Sequence, residues 1–216
     1  MSNIDDNIII EPTGFGYHNI EAKVVIVGIT PGNSQLDGSR EGLSHKEIKC
    51  KYAFAGKMRP NLINMLNYIG VNRLLGIESC STLWGDDFDK VDMTSLLVDA
   101  TYELRNGKRE MFRHAEKIAK SEILMRKMKE GFVENCKQYT QTKLFVACGR
   151  GVYDVLMKLK EFGVITAPVV AIAHPSGGNM KCIQYYLGKK ESELQSFQWY
   201  IEKPKEAKEI IDSLCQ

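Results

Sequence analysis

The chain has 216 residues, of which 44% are hydrophobic, and its formal net charge is +2. This length suits one α/β domain with its own core, so we predict a single domain over residues 1–216. The small net charge neither requires nor excludes nucleic acid as a partner. No apolar run approaches the roughly 20 residues that span a bilayer, and no basic segment precedes an apolar one at the N-terminus. We therefore expect a cytoplasmic monomer that does not enter a membrane.

The first half of the chain predicts two strands and a helix. Val24–Ile29 is a continuous apolar, β-branched run, typical of a central parallel strand buried on both faces. Thr30–Asn33 ends this strand as a loop. Pro60–Ile69 predicts a helix because its apolar residues recur at helical spacing. Val91–Val98 predicts a second strand.

The second half continues the alternation of strands and helices. Gly107–Tyr139 is charged, has periodic apolar residues, and predicts one or two helices. The overlapping stretch Arg105–Glu130 has nine Lys or Arg and four Glu, a net charge of +5. Such a run is usually a solvated helix face, and a surface facing phosphates is the alternative.

Two further strands and two helices complete the pattern, which implies a three-layer α/β/α fold. Its centre is a mostly parallel four-stranded sheet with helices on both faces. The tail is predicted as a helix broken at Pro204. The remaining predicted elements are the strand Leu144–Cys148, the helix Gly149–Gly163, the strand Val169–Ala173 and the tail helix Glu191–Leu214.

The six cysteines stand at least 12 residues apart, so no CxxC pair occurs. This spacing argues against the usual structural zinc and redox motifs. We expect reduced, mostly buried thiols, with no metal and no cofactor.

Two predicted strand ends carry unusual loops. Gly28–Gly32 reads Gly-Ile-Thr-Pro-Gly after the first strand, and His174–Asn179 reads His-Pro-Ser-Gly-Gly-Asn after the fourth. Open α/β sheets bind ligands beyond the carboxyl ends of their strands, and glycines let the backbone approach a ligand closely. Each loop alone is more often a simple turn or a structural histidine, but the pair indicates one site.

These loops resemble the two motifs of the uracil-DNA glycosylase superfamily, Gly-x-x-Pro-Gly and His-Pro-Ser, in the same order. Tyr52–Gly56 and the helix after it are similar to the Pro-Phe-Val-Gly segment and helix of the iron–sulfur branch. The closely spaced cysteine pair of that branch is missing, so we predict no cluster. The resemblance covers Val24–Asn179 and implies a uracil-DNA glycosylase-like fold that takes a base out of the DNA stack.

The resemblance also implies which residues hold the base. Phe54 occupies the place of the stacking aromatic, although a core phenylalanine is the alternative. A hydroxyl stands where much of the superfamily has an asparagine that binds the uracil edge, and it discriminates poorly between uracil and cytosine. Asp92 or Asp99 would accept from a cytosine amino group. The predicted base-binding residues are Gly28, Ile29, Gly32, Asn33, Phe54, Thr94 and Ser95.

The implied chemistry centres on His174, which matches the histidine that donates to the pyrimidine oxygen as the base departs. Either neutral or charged imidazole would serve. Thr30 replaces the Asp or Asn that orients water in several branches, and a hydroxyl is not a strong base. Asp37 or Glu41 would substitute for it, or leaving-group stabilisation alone would drive the reaction, or the protein binds without cleaving.

The second loop is implied to contact DNA. Ser176 would grip a phosphate, and Met180 is the apolar residue available as a wedge in the opened base step. Lys181 would add a phosphate contact or would simply be exposed. The predicted DNA-binding residues are Ser176, Gly177, Gly178, Asn179, Met180 and Lys181.

The function that the resemblance implies is a monofunctional DNA glycosylase without metal or cofactor. Strict uracil enzymes have a bulky Tyr where this chain has Gly32, so we predict an open pocket that admits uracil or a 5-modified pyrimidine, including modified cytosine. Repair of deaminated cytosine and attack on modified phage DNA are both compatible. The alternatives are a non-catalytic binder of flipped or single-stranded bases and an unrelated nucleotide-binding α/β protein whose loops cradle phosphate.

Overall fold

The computed structural model describes residues 4–12 and 17–216. The sequence predicted no signal peptide at the N-terminus. The first residues of that segment, Met1–Asn3, lie outside the described residues. In chain order the strands are β1 (Ile8–Glu11), β2 (Val24–Gly28), β3 (Val91–Ser95), β4 (Ala100–Arg105), β5 (Lys108–Met111), β6 (Leu144–Cys148) and β7 (Val169–Ile172). The helices are α1 (Asn33–Arg40), α2 (His45–Tyr52), α3 (Met58–Ile69), α4 (Val71–Leu75), α5 (Glu122–Met128), α6 (Glu134–Cys136), α7 (Arg150–Glu161), α8 (Met180–Tyr186) and α9 (Gln195–Leu214).

The predicted four-stranded parallel sheet is confirmed, with the order β3-β2-β6-β7. Every residue of β2 is buried, because helices cover both faces of the sheet. Val24 and Ile26 pack on one side with α3 and α9. Val25 and Val27 point the other way and pack with α5 and α7. This alternation produces the three predicted layers.

The structure contains a second, three-stranded sheet that the sequence patterns did not predict. It is antiparallel, with the order β1-β4-β5. The prediction of helix from Gly107 onward is therefore wrong at its start, where β4 and β5 form a hairpin. Asn106 and Gly107 have φ angles of 52° and 72°, the left-handed pair that a two-residue type I′ turn needs. Helical turns begin only with the 3₁₀ segment Ala115–Lys120.

The predicted break at Pro204 is also wrong, because α9 runs through it without interruption. Pro204 is buried, and the helix after it buries Ala207 and Ile211 against the core. Packing of this apolar face outweighs the one hydrogen bond that proline cannot make. Strand β3 ends at Ser95 rather than at the predicted Val98.

All six cysteines are free thiols, as predicted, and three of them are buried. Within the part of the chain that the structure describes, no helix has the length and apolarity needed to cross a membrane.

Candidate active site

A cavity of about 560 Å³ lies at the carboxyl ends of the parallel strands, and both unusual loops line it. This size is within the range of small-molecule sites. The structure thus brings together most of the residues predicted for base binding and chemistry, with two of those predicted for DNA contact. They are Gly28, Ile29, Thr30, Gly32, Phe54, Thr94, Ser95, His174, Ser176 and Gly178.

The other predicted residues lie outside the cavity wall. Asn33 accepts a hydrogen bond from the Tyr102 hydroxyl at 3.0 Å. Asp37 is exposed on α1, so the structure does not bring its carboxylate to the cavity. Gly177, Asn179, Met180 and Lys181 continue from the second loop into α8, where they remain candidates for DNA contact.

The contacts and burial of His174 favour a neutral imidazole that carries its proton on Nε2. The Ser176 amide donates to His174 Nδ1 at 3.3 Å. Because an amide N–H can only donate, Nδ1 is the acceptor and the proton lies on Nε2. Burial, and then the positive charge of Arg113, lower the pKa of His174. Of the two states that the sequence left open, the structure therefore favours the neutral donor.

Three contacts fix the position of His174. The Asn179 side chain donates to the His174 carbonyl at 2.9 Å, and Asn61 of α3 donates to the Pro175 carbonyl at 2.9 Å. Gly149 begins α7 with a φ angle of 102°, and a Cβ atom there would come within 3.3 Å of His174 Cβ. Only glycine meets both demands at this position.

The Phe54 ring lies at the β2 end of the cavity rather than in the core. A methyl group placed on Gly28 would lie 3.8 Å from the Phe54 ring and 3.5 Å from the Ser95 hydroxyl. Gly28, Phe54 and Ser95 therefore border one space. By contrast, a Cβ atom on Gly32 would meet nothing within 4 Å, so the wall is open there.

Thr30 lines the cavity, but its hydroxyl connects the first loop to the backbone at the start of β4. Its Oγ1 donates to the Asp99 carbonyl at 3.0 Å and accepts from the Thr101 amide at 2.9 Å. The single hydroxyl proton is thus committed to the start of β4. This geometry supports a structural role for Thr30 and leaves one lone pair for any contact with water.

No aspartate or glutamate is among the described residues that line the cavity. Asp99 directs its carboxylate towards Lys127, with Oδ2 3.8 Å from Nζ. Asp92 lies in a closed cluster behind the cavity wall. Neither carboxylate is among the described residues that line the cavity, so the structure does not bring either one to it.

Asp92 lies at the centre of a buried polar cluster, which we call the ionic cluster. Its members are His18, Lys49, Asp92 and Tyr139. The Asp92 carboxylate lies 2.8 Å from Lys49 Nζ, 2.5 Å from the Tyr139 hydroxyl and 3.3 Å from His18 Nδ1. Burial alone would raise the pKa of Asp92, but the hydrogen bond from His18 and the charge of Lys49 outweigh it and lower that pKa.

A second cavity of about 20 Å³ separates the ionic cluster from the main cavity. This volume holds about one water molecule. His18 and Lys49 line one side of it, and Gln35, Thr94 and Ser95 border both cavities. A single bound water would therefore connect the two regions.

Comparison with known proteins bears on the fold. No family model matches the chain. The crystal structure of wild-type SMUG2 from Pedobacter heparinus, a member of the uracil-DNA glycosylase superfamily, is similar with a TM-score of 0.52, over 98% of this chain and 92% of that chain. The chain has the uracil-DNA glycosylase fold. Sequence identity to SMUG2 is 18%, which establishes the fold and not the activity.

One curated relative matches part of the sequence. The uncharacterized protein YoxB from Bacillus subtilis is 33% identical over 91 residues, which cover 37% of this chain. The match spans only 36% of YoxB, about a third of its length, so it carries no functional conclusion.

Several residues of the cavity wall were not predicted from the sequence, and Gln35 and Arg113 are two of them. Gln35 of α1 lines the cavity and accepts from the Gly32 amide through Oε1 at 3.1 Å. Gln35 stands three residues after Gly32, at the position from which a glutamine side chain reaches back to the amide of the residue that begins the helix, and this spacing was an available signal. Arg113 also lines the cavity, and it reaches this place through the hairpin that the sequence patterns did not predict.

Three exposed cations lie on or beside the two loops. Arg113 borders the cavity, Lys57 Cδ would lie 3.7 Å from a Cβ atom on Gly177, and Lys181 Nζ lies 4.7 Å from the centre of the Phe197 ring. None of the three forms an ion pair with a described residue. By contrast, Arg105 and Arg109 of the hairpin are both paired with glutamates. Unpaired cations around a cavity mouth attract phosphates.

Proposed function

We propose that this protein is a DNA glycosylase that flips out and excises uracil or a 5-modified pyrimidine. The observation that carries the proposal is the neutral His174, whose Nδ1 accepts from the Ser176 amide so that Nε2–H is free to donate. A donor of this kind acts where charge develops on the departing base. The uracil-DNA glycosylase fold and a cavity large enough for a base agree with this function.

In the proposed reaction the bond between C1′ of the sugar and N1 of the base breaks, and both electrons leave with the base. His174 Nε2–H donates to the pyrimidine oxygen on which this negative charge accumulates. Water then adds its oxygen to C1′ and releases one proton, and the base anion takes up a proton. The products are an abasic site and the free base.

The absence of a carboxylate from the described cavity wall makes leaving-group stabilisation the main source of catalysis. Neutral polar groups are left to position the water. Gln35 Oε1 is occupied by the Gly32 amide, but its Nε2 has no partner among the described residues, and Ser34 lies next to it. A hydrogen bond from an amide orients water without removing its proton.

The open wall at Gly32 favours bases with a substituent on C5 as well as uracil, because nothing lies within 4 Å of an added Cβ atom there. Thr94 and Ser95 offer hydroxyls that either donate or accept. Arg113, Lys57 and Lys181 would bind the phosphates on either side of the extruded nucleotide. Such a protein would serve in repair or in defence against modified DNA, according to its substrate.

The test is a panel of duplex and single-stranded oligonucleotides that carry uracil, 5-hydroxymethylcytosine or glucosylated cytosine, followed by alkali. We expect alkali-labile breaks with at least one of them. His174→Ala should lower the cleavage rate by about 10²–10³-fold and leave DNA affinity within a few-fold. His45→Ala, at an exposed position of α2, is the matched control. Binding without cleavage of any substrate would reject the glycosylase proposal.

The second candidate is a non-catalytic binder of extruded or single-stranded bases. It is favoured by the committed Thr30 hydroxyl and by the lack of a carboxylate in the described cavity wall. In that case the panel gives binding that depends on the base, and His174→Ala lowers affinity rather than rate.

A further inference from the structure

Phe54 has a backbone conformation that its side chain disfavours. Its φ angle is 52°, and Asn106 in the hairpin turn is the other described non-glycine residue with a positive φ. Asparagine tolerates this region, whereas a bulky side chain in it is strained. Residues strained in this way gather at functional sites, where their surroundings must hold them.

The backbone next to Phe54 is held from two directions. The Ala53 carbonyl accepts from Trp84 Nε1 at 2.8 Å and from Arg59 Nη2 at 3.2 Å. Arg59 Nη2 also donates to the Lys51 carbonyl at 2.6 Å. Two donors on one carbonyl fix the plane of the peptide that leads into Phe54.

The two donors are themselves connected. The Arg59 guanidinium lies 5.0 Å from the centre of the Trp84 ring, within cation–π distance. Trp84 ends a 3₁₀ segment whose Cys80 and Leu83 are buried in the core, and its carbonyl accepts from Cys50 Sγ at 3.2 Å. The turn before Phe54 is therefore tied to the core through Trp84 and to α3 through Arg59.

Arg59 occupies this place at an energetic cost. Its Nε is buried and has no hydrogen-bond partner among the described residues, and a buried donor without an acceptor is destabilising. A sequence selected only for stability would replace such a residue. Neither Trp84 nor Arg59 lines the cavity, so any effect on the base would act through Phe54.

We propose that Trp84 and Arg59 are positioning residues that hold the strained Phe54 ring where it stacks on the extruded base. The inference rests on the proposed function, because it requires a base in the cavity. In this proposal the two hydrogen bonds to the Ala53 carbonyl connect the core to the backbone of the stacking residue.

A double-mutant cycle separates this role from simple support of the fold. Trp84→Phe keeps an aromatic ring over Arg59 but removes the N–H group. We expect kcat/KM to fall about tenfold, the equivalent of one hydrogen bond. In a Phe54→Ala background the same replacement should have no further effect. An equal loss in both backgrounds would overturn the proposal.

Two further measurements protect the test against misfolding. Arg59→Lys, which keeps a cationic donor, should retain more activity than Arg59→Met at equal thermal stability. The chain has two tryptophans, so Trp199→Phe leaves Trp84 as the sole tryptophan fluorophore. Its emission should change when DNA with a non-cleavable 2′-fluoro-arabino-uridine binds, and an unchanged emission would count against contact through the turn.

Failure of the proposed function would be recognised separately. If the wild type binds this DNA without cleaving uracil, glycosylase activity is rejected, and the same cycle measured on affinity still decides the role of Trp84. If the wild type does not bind the DNA at all, both proposals fall.

Discussion

Strand β3 contributes to two regions that contrast in their hydrogen bonding. Asp92 enters the ionic cluster, where its carboxylate has three partners and no exposure. Two and three residues later, Thr94 and Ser95 face the main cavity, and their hydroxyls have no partner among the described residues. A closed network stabilises the fold, whereas unpaired groups at a cavity are available to a ligand. Within three residues, strand β3 therefore passes from a closed stabilising network to a cavity wall with unpaired hydroxyls.

The largest expected effect is on the ionic cluster. Lys49 and Asp92 are 3% and 0% exposed, so Lys49→Met leaves a buried carboxylate without its cation. We expect a loss of about 3–5 kcal/mol in the free energy of unfolding, measured by urea denaturation. The double variant Lys49→Met/Asp92→Asn should recover most of this loss. A single variant within about 1 kcal/mol of wild type would show that the cluster is not closed.

Thr30→Val tests a residue that faces the cavity although its hydroxyl is hydrogen-bonded to the backbone of Asp99 and Thr101. The replacement leaves the Thr101 amide without its acceptor, so we expect a loss of about 1–3 kcal/mol in unfolding free energy. The rate of base excision should fall by less than tenfold. A fall of more than 100-fold at unchanged stability would instead assign Thr30 to catalysis.

Thr94→Val should have the opposite profile. Thr94 is a mostly buried residue whose hydroxyl faces the cavity without a partner among the described residues, so valine should leave stability within about 1 kcal/mol. If the proposed function holds, kcat/KM on uracil-containing DNA should fall about tenfold, because a hydrogen bond to the base would be lost. Ser95→Ala is the matched control on the neighbouring residue. An unchanged kcat/KM for both would remove β3 from base recognition.

The smallest expected effect is a pH dependence of stability. The pKa of His174 is lowered in the folded protein, chiefly by burial, so its stabilising contribution is complete above the unfolded pKa of about 6.5. It is lost as the pH falls through the lower folded pKa. The thermal unfolding temperature of the wild type should decline below pH 6.5. The unfolding temperature of the His174→Gln variant should decline less. The ionic cluster fails at a lower pH, because the pKa of Asp92 is also lowered from an ordinary value of about 3.9.

The sequence predicted the parallel sheet because its strands are continuous apolar runs buried on both faces. It predicted the cavity because both loops follow such strands. It did not predict the hairpin Ala100–Met111, since β5 is a mostly exposed, charged edge strand of four residues. The Asn-Gly pair at its turn was the available signal.

Part of what the sequence did not predict at the site follows from the missed hairpin. The hydrogen bonds of Thr30 end on residues at the start of the hairpin, and Arg113 follows directly after it. The closure of Asp92 depends on Lys49 and Tyr139, which are 43 and 47 residues away in the chain. No local pattern reports contacts over such distances.

The carboxylate-free wall described for the cavity has a consequence for substrate choice. A glycosylase without a base to activate water depends on how readily the departing ring accepts an electron pair. Such an enzyme ranks its substrates by the acidity of the N1–H of the released base more than by the fit of a substituent. Electron-withdrawing groups on C5 would then accelerate excision, and the open wall at Gly32 would admit them. A plot of log rate against the acidity of the free base, for a series of 5-substituted uracils, should be a straight line.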